Sequence, residues 1–328
     1  MRPTVIFGGE SRERLVSVAS AQAVAAALPD ADLWFWTPAG EVFEASREAL
    51  AAHQRPFELD FTADGPKVGD VKTALDRAGA EQRTLVPALH GGAAENGDLA
   101  RECERRGVAI TGSGSEASKL AFDKIAAKQV AADVGLKVPV TVDLSAAGAM
   151  LGAGNRLVGK PIEDGSSYGL IFANGPGDLG QLEAAAAREP YLIELRVEGI
   201  EATCAVIERA GEAIALPPVE IRAARDTFDY ESKYLSKETQ EICPAGFGDA
   251  VNGKLQAAAL AAHKALGARG YSRSDFFVVG EDVVFLELNT LPGLTASSLL
   301  PKALAAAGIP FEIFLREQIA IAEAARGG

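Results

Sequence analysis

Positive charge is in short supply: 32 lysines and arginines stand against 45 aspartates and glutamates, a formal net charge of −13 over 328 residues. The chain lacks the basic surplus that drives counterion release from nucleic acid, and an anionic membrane surface would repel it. Neither is an expected partner, and any phosphate must be met by a few placed cations. Cysteine is equally scarce. Cys103, Cys204 and Cys243 form an odd set without Cys-x-x-Cys spacing, which excludes a disulfide framework or a thiolate zinc site. His53, His90 and His263 lie far apart, with no His-Glu-x-x-His pattern to bind a metal. No apolar run approaches the roughly eighteen residues of a membrane span. The short run in Met1 to Phe7 meets Gly8-Gly9-Glu10 at once, unlike a signal peptide. A soluble, cytoplasmic protein is expected.

What is present is globular: 48% apolar and 23% charged residues, long enough for about two domains or three small lobes. Val5-Ile6-Phe7, a glycine pair and then Leu15, Val18, Ala19, Ala23, Ala26 and Ala27 at helical spacing read as strand, turn, helix. Further strands are expected at Leu33 to Trp36, Leu85 to Leu89 and Val108 to Ile110, with helices near Val71 to Ala78 and Leu99 to Arg106. This alternation predicts a parallel, doubly wound α/β lobe ending near Gly112. Ser115 to Val134 reads as one long helix, and Leu157 to Pro161 and Tyr191 to Val197 as strands. Beyond them come a polar stretch from Arg222 to Pro244, a helix from Ala250 to Leu266, a hairpin from Arg273 to Asn289, and helices near Ser298 to Ala306 and Phe311 to Ala324.

The hairpin carries the most chemistry. A three-residue loop of Gly280, Glu281 and Asp282 would set Asp275 opposite Glu287 and Arg273 opposite Asn289 on one face, leaving Phe276, Val278, Val284, Leu286 and Leu288 for the core. Opposed carboxylates repel, and a cation between them relieves the repulsion. Oxygen-only ligands from Asp, Glu and Asn select magnesium completed by phosphate oxygens. The plainer alternative is a solvated face bridged by Arg273. Lys160-Pro161 ends a strand just before Gly165-Ser-Ser-Tyr-Gly169, whose backbone N–H groups can cradle phosphate or form a simple turn; it is neither a Walker A loop nor Gly-x-Gly-x-x-Gly. Glu13, in the first turn after Gly8-Gly9, suits an ammonium ligand or merely complements the helix dipole. His90 stands at a strand end, where the carboxyl edge of a parallel sheet holds ligands, or is simply a satisfied strand-end histidine.

Read in order, Gly8-Gly-x-Ser-x-Glu13-Arg-x-x-Ser17, His90-Gly91, Thr111-Gly-Ser-Gly114, Asp123-Lys124, Lys160-Pro-x-x-x-Gly-Ser-Ser-x-Gly169, Phe228-Asp-Tyr-x-x-Lys-Tyr234, Cys243-Pro-Ala245, Arg273-x-Asp275 and Glu287-x-Asn-Thr-x-Pro-Gly-x-Thr295 with Ser298-Leu299 resemble the bacterial D-alanine:D-alanine ligases of the ATP-grasp superfamily. The resemblance implies an α/β ATP-grasp fold of three lobes. These are an N-terminal doubly wound parallel-sheet lobe that binds substrate (1–114), a central α+β lid lobe (115–196) and a C-terminal mixed-sheet catalytic lobe (197–328). It also implies ATP- and magnesium-dependent joining of two D-alanines through an acylphosphate, for peptidoglycan precursors, by a homodimer. The alternative is a paralogous ATP-grasp ligase joining other amino or hydroxy acids.

By the same resemblance Lys124, Lys160, Ser167, Glu194, Val197, Glu201 and Lys233 bind ATP. Asp275, Glu287 and Asn289 hold two magnesium ions, with manganese the alternative. Glu13 takes the first ammonium, Ser166 and Tyr234 link to it and shut the site, and Arg273 meets the tetrahedral intermediate. His90 belongs to the substrate site, and Gly293, Ser298 and Leu299 seat the second D-alanine. Tyr234, where relatives that use D-lactate commonly have phenylalanine, implies dipeptide synthesis. The sequence departs from the family at Ala94-Glu-Asn-Gly97, at Ala100-Arg101, at Leu195-Arg196 in the adenine hinge and at Thr227. The first two departures predict an altered wall in the first amino-acid subsite.

Overall fold

A computed structural model describes residues 2–163, 168–222 and 239–326. Its first sheet is built from β1 (Arg2–Gly8), β2 (Asp32–Trp36), β3 (Glu41–Glu44), β4 (Lys67–Asp70), β5 (Arg83–Ala88) and β6 (Ala109–Ile110), in the order β4-β3-β2-β1-β5-β6. β1, β2, β5 and β6 run parallel, and β1 and β5 are buried almost throughout, as strands covered on both faces must be. β3 and β4 run antiparallel at one edge, an addition to the expected parallel sheet. Each has four residues, two of them charged in β3 and three of them charged or glycine in β4, so neither shows an apolar pattern in the sequence. Helices α1 (Arg14–Ala27), α2 (Arg47–Ala52), α3 (Val71–Ala80) and α4 (Asp98–Arg105) connect and cover these strands.

The expected long helix after Ser115 is two helices, α5 (Ser115–Phe122) and α6 (Lys124–Asp133). Asp123 breaks it. Its backbone is extended, and its carboxylate accepts from the N–H groups of Ile125 and Ala126, each at 3.0 Å, so it caps α6. The new helix start places Lys124 at its first position, where the Lys124 N–H donates to the Ile162 carbonyl at 3.3 Å just beyond the small sheet. That sheet comprises β7 (Leu157–Pro161), β8 (Ile171–Ala173) and β9 (Tyr191–Leu195), in the order β8-β7-β9. One face packs on α7 (Leu144–Gly152) and α8 (Leu179–Ala186) as a core of its own, through Leu157, Leu182 and Ile193.

The third sheet runs β13-β12-β10-β14-β15, from β10 (Ile200–Arg209), β12 (Val219–Arg222), β13 (Gln240–Ile242), β14 (Tyr271–Val279) and β15 (Asp282–Asn289), with β11 (Glu212–Ala215) paired to β10. One of its cores lies under α9 (Asp249–Ala265), α5 and α6. Residues Ile207, Tyr271 and Leu291 join the core of the first sheet, together with α10 (Leu299–Ala306) and α11 (Phe311–Ala325). The first and third sheets are thus welded, whereas the small sheet is packed separately. Among the described residues no helix is long and apolar enough to cross a membrane.

Removing the Asp123 cap should cost about 1 kcal/mol of stability and loosen Lys124, while Asn, which can still accept, should restore both. Urea unfolding and the KM for nucleotide of Asp123→Ala and Asp123→Asn check this; equal behaviour of the two variants would contradict it.

Candidate active site

The hairpin delivers the expected face by a different route. Arg273 pairs with Asn289, and Asp275 with Glu287. The turn, however, holds two residues, Gly280 and Glu281, between paired Val279 and Asp282, and a bulge at Leu286 restores the register. The bulge corrects the expected core set. Phe285 is fully buried beside Phe276, Val278 and Leu288, while Val284 is only half-buried and Leu286 turns to the opposite side, into the cavity.

Alternation along each strand carries this face outward. Arg273, Asp275 and Phe277 succeed one another on β14; Glu201 on β10 pairs with Phe277, and Ile221 on β12 pairs with Glu201. The sheet face therefore passes from charged to apolar. Arg273 grips Asp275 through Nε and one terminal nitrogen, both at 2.8 Å, and Asn289 Nδ2 donates to the same carboxylate at 3.2 Å. The arginine pairs with Asp275, and Glu287 has no hydrogen bond or ion pair among the described residues. No cluster of three or more His, Cys, Asp or Glu able to hold a metal occurs among the described residues. Two carboxylates and an amide fit magnesium only where phosphate oxygens complete the shell, which is that ion's usual habit.

Opposite lies the small sheet. Val158 on β7 pairs with Glu194 on β9, and Lys160 shares their face, so Lys160 Nζ reaches Glu194 Oε2 at 2.9 Å. Lys128, one helical turn beyond Lys124 on α6, pairs with the same carboxylate from the other side. Burial depresses the Lys160 pKa, and burial with the neighbouring Lys160 charge depresses that of Lys128. Arg196 stacks its guanidinium over Phe172, with 5.2 Å from the guanidinium carbon to the ring centroid, where the hinge departs from the family.

The first sheet closes the third side. Gly8 takes φ +92°, and an added Cβ would strike the Trp36 carbonyl; Ser17 Oγ accepts from the Gly8 N–H at 2.6 Å and donates to the Ala88 carbonyl at 2.5 Å. This turn leads to Glu13, which is 8% exposed, precedes α1 and makes no side-chain cap. The carboxylate lines the cavity. Gly91 leaves it room, since an added Cβ there would stand 2.8 Å from Glu13 Oε2. Glu95 faces the same space, and burial with the Glu13 charge pushes its pKa up to about 8. His90 Nε2 lies 2.9 Å from Ser20 Oγ, and burial with the nearby Arg273 charge lowers its pKa to about 4, keeping the ring neutral. Gly293 stands against Ser298, whose Oγ is 2.6 Å from where a Cβ would sit, and Ser298 precedes α10.

All three sides enclose one cavity of about 740 Å³. Glu13, His90, Lys124, Lys160, Glu194, Val197, Glu201, Arg273, Asp275, Glu287, Asn289, Gly293, Ser298 and Leu299 all line it. Ser166, Ser167, Thr227, Lys233 and Tyr234 lie outside the described residues, as does most of the 222–244 stretch. Of the departing segments Glu95, Leu195 and Arg196 line this cavity, Ala100 is buried and Arg101 pairs with Asp98 at 3.4 Å. Lys128, Phe277 and Leu286 escaped the sequence reading. The i, i+4 spacing from Lys124 could have found Lys128; the bulge that exposes Leu286 has no sequence signal.

The family model described as D-ala D-ala ligase N-terminus matches residues 2–113, and that described as D-ala D-ala ligase C-terminus matches 153–320. The chain belongs to the D-alanine–D-alanine ligase family. It is 37% identical to the D-alanine–D-alanine ligase of Oleidesulfovibrio alaskensis, covering 100% of this chain and 98% of that one, and 34% identical to that of Cupriavidus taiwanensis, covering 97% and 90%. Among solved structures it resembles the D-alanine–D-alanine ligase of Bacillus anthracis complexed with ATP, with TM-score 0.75, 26% identity and 100% and 98% of the two chains covered. It also resembles the VanG D-Ala:D-Ser ligase of Enterococcus faecalis, with TM-score 0.77, 27% identity and 98% and 99% covered.

The neutral His90 of this ligase-family fold has a stability consequence. Its folded pKa of about 4 lies below the ordinary 6.5, so the unfolded chain binds the extra proton first. Stability is complete above pH 6.5 and falls as pH drops from 6.5 toward 4, by about 2–3 kcal/mol from this group. Urea unfolding at several pH values should give a shallower acid limb for His90→Gln than for the wild type; parallel limbs would contradict the assignment.

Proposed function

We propose that this protein joins two D-alanines into D-alanyl-D-alanine while cleaving ATP to ADP and phosphate, supplying a peptidoglycan precursor. The observation that carries the reading is the meeting, round one cavity, of an apolar nucleotide-sized end, a lysine wall, an acidic hairpin face and a carboxylate suited to an ammonium. At the apolar end Phe277, Leu286 and Val197 flank the base and Glu201 takes the ribose hydroxyls. Lys124 and Lys160 grip the phosphates. Asp275, Glu287 and Asn289 are the residues that would hold magnesium, which when bound supplies charge neutralisation for the transferring phosphoryl group.

Glu13 fixes the first ammonium so that its carboxylate points toward the γ-phosphate. That carboxylate attacks phosphorus, the bond to the β-phosphate oxygen breaks, and ADP leaves an acylphosphate. Positioning and electrostatics supply most of the acceleration in such transfers. Ser298 and the N-terminus of α10 seat the second carboxylate. The second amine, as free base, attacks the acyl carbon; Arg273, held in a fork by Asp275, stabilises the oxyanion, and phosphate departs with its oxygen and takes up the proton that the nitrogen loses. Neutral His90 beside Gly293 places no competing positive charge next to that amine. Ser166, Lys233 and Tyr234 complete the site by the family resemblance, and their role is to keep water from the acylphosphate.

Incubation with ATP, magnesium and D-alanine, read by phosphate release and product mass against L-alanine and D-lactate controls, tests this. D-alanyl-D-alanine at neutral pH is expected. Phosphate release only with a different amino or hydroxy acid pair would assign the paralogous reaction instead.

Glu287→Gln should reduce turnover by at least about 100-fold while leaving the melting temperature unchanged or raised, because it removes both a cation's ligand charge and a cross-strand repulsion. Near-normal turnover at ordinary magnesium by the folded variant would remove Glu287 from the metal site.

A further inference from the structure

Lys128 is buried and absent from the lining of the cavity that Lys124, Lys160 and Glu194 share. Spacing i, i+4 on α6 puts it on the same side as Lys124 but one turn deeper. There it meets Glu194, whose side chain is 1% exposed and whose other oxygen already engages Lys160. One carboxylate thus serves two lysine amino groups beside the cavity. The pair also spans two cores. α6 packs with the third sheet and α9, whereas the strands carrying Glu194 and Lys160 belong to the small sheet. A buried lysine without a ligand to touch would be a costly accident unless it acts through its neighbour.

We infer that Lys128 is a positioning residue of the nucleotide site: it takes one oxygen of Glu194 from behind, so that Lys160 is only partly neutralised and keeps its remaining N–H groups turned to phosphate. The inference rests on the reading of the cavity as an ATP site. Without Lys128 the carboxylate has Lys160 as its one remaining partner in this cluster and draws that ammonium away from the cavity. With that ammonium engaged by the carboxylate, the hold on a polyphosphate weakens.

Calorimetric titration with magnesium ATP, joined to steady-state kinetics, tests it in four forms of the whole protein: wild type, Lys128→Met, Glu194→Gln and the double variant. Expected for Lys128→Met is a rise of about tenfold or more in the ATP Kd and KM. The KM for D-alanine, and kcat at saturating ATP, should stay within about threefold. In the Glu194→Gln background the same substitution should change ATP affinity less than about twofold, because the residue it acts through is gone. An equal loss in both backgrounds would mean that Lys128 meets the nucleotide itself, and unchanged affinity in folded Lys128→Met, or a parallel fall in kcat, both KM values and thermal stability, would likewise overturn the inference. If Lys128→Met does not fold, the comparison of Glu194→Gln with the double variant still decides, since a large difference between them is incompatible with action through Glu194. Failure of the wild type to bind ATP, or undiminished binding by Lys160→Met, would instead refute the nucleotide reading.

Discussion

Two carboxylates directly opposite each other on a β-hairpin are the constraint around which the rest of the site is arranged. Asp275 is quieted by the Arg273 fork and the Asn289 amide, but Glu287 has neither, and its field is felt by Lys128 and Lys160 across the cleft. The molecule thus holds an acidic sheet face and a lysine wall apart, with space between them. A polyphosphate carrying divalent cations has the alternating charges to fill that space, whereas bare ATP would meet the lysines with favour and the carboxylates with repulsion.

The fold supports this separation by keeping the cores distinct. The first and third sheets share apolar packing through Tyr271, Leu291 and α11, so Glu13, His90 and the hairpin face sit in one rigid frame. The small sheet has its own core and meets α6 of that frame where the Lys124 N–H donates to the Ile162 carbonyl at 3.3 Å and where Lys128 reaches Glu194. With Lys160 on one body and the acid groups on another, the nucleotide itself completes the electrostatics between them. The first subsite, by contrast, is built within the frame, where Ser11, Ser17 and Ser20 tie the Gly8 turn, Glu13 and His90 to the end of β5.

Much of this was legible in the sequence where local chemistry dictates the outcome. The glycine pair before α1, the strand ending at Lys160-Pro161 and the opposed Asp275 and Glu287 all follow from turn residues and alternation. The right register at Asp275 came from a loop one residue too long, an error that the bulge at Leu286 cancels; the same bulge sends Phe285 to the core in place of its neighbours. Asp123 reads equally well as a helix residue or as a cap, and only the packing of Lys124 against Ile162 selects the cap. Lys128 looks like a surface lysine, because burial of a charge depends on a partner some 66 positions away in the chain. The short charged strands β3 and β4 exist through pairing with an edge rather than through any pattern of their own.

Charge complementarity between the hairpin face and the lysine wall is most directly tested by titrating ATP into the protein with saturating magnesium and again with the divalent ions chelated by EDTA. A Kd at least about tenfold tighter with magnesium is expected, because the carboxylates of Asp275 and Glu287 oppose the phosphates when no cation separates them. Equal affinity in the two titrations would contradict the account, since it would mean that the acidic face takes no part in holding the nucleotide.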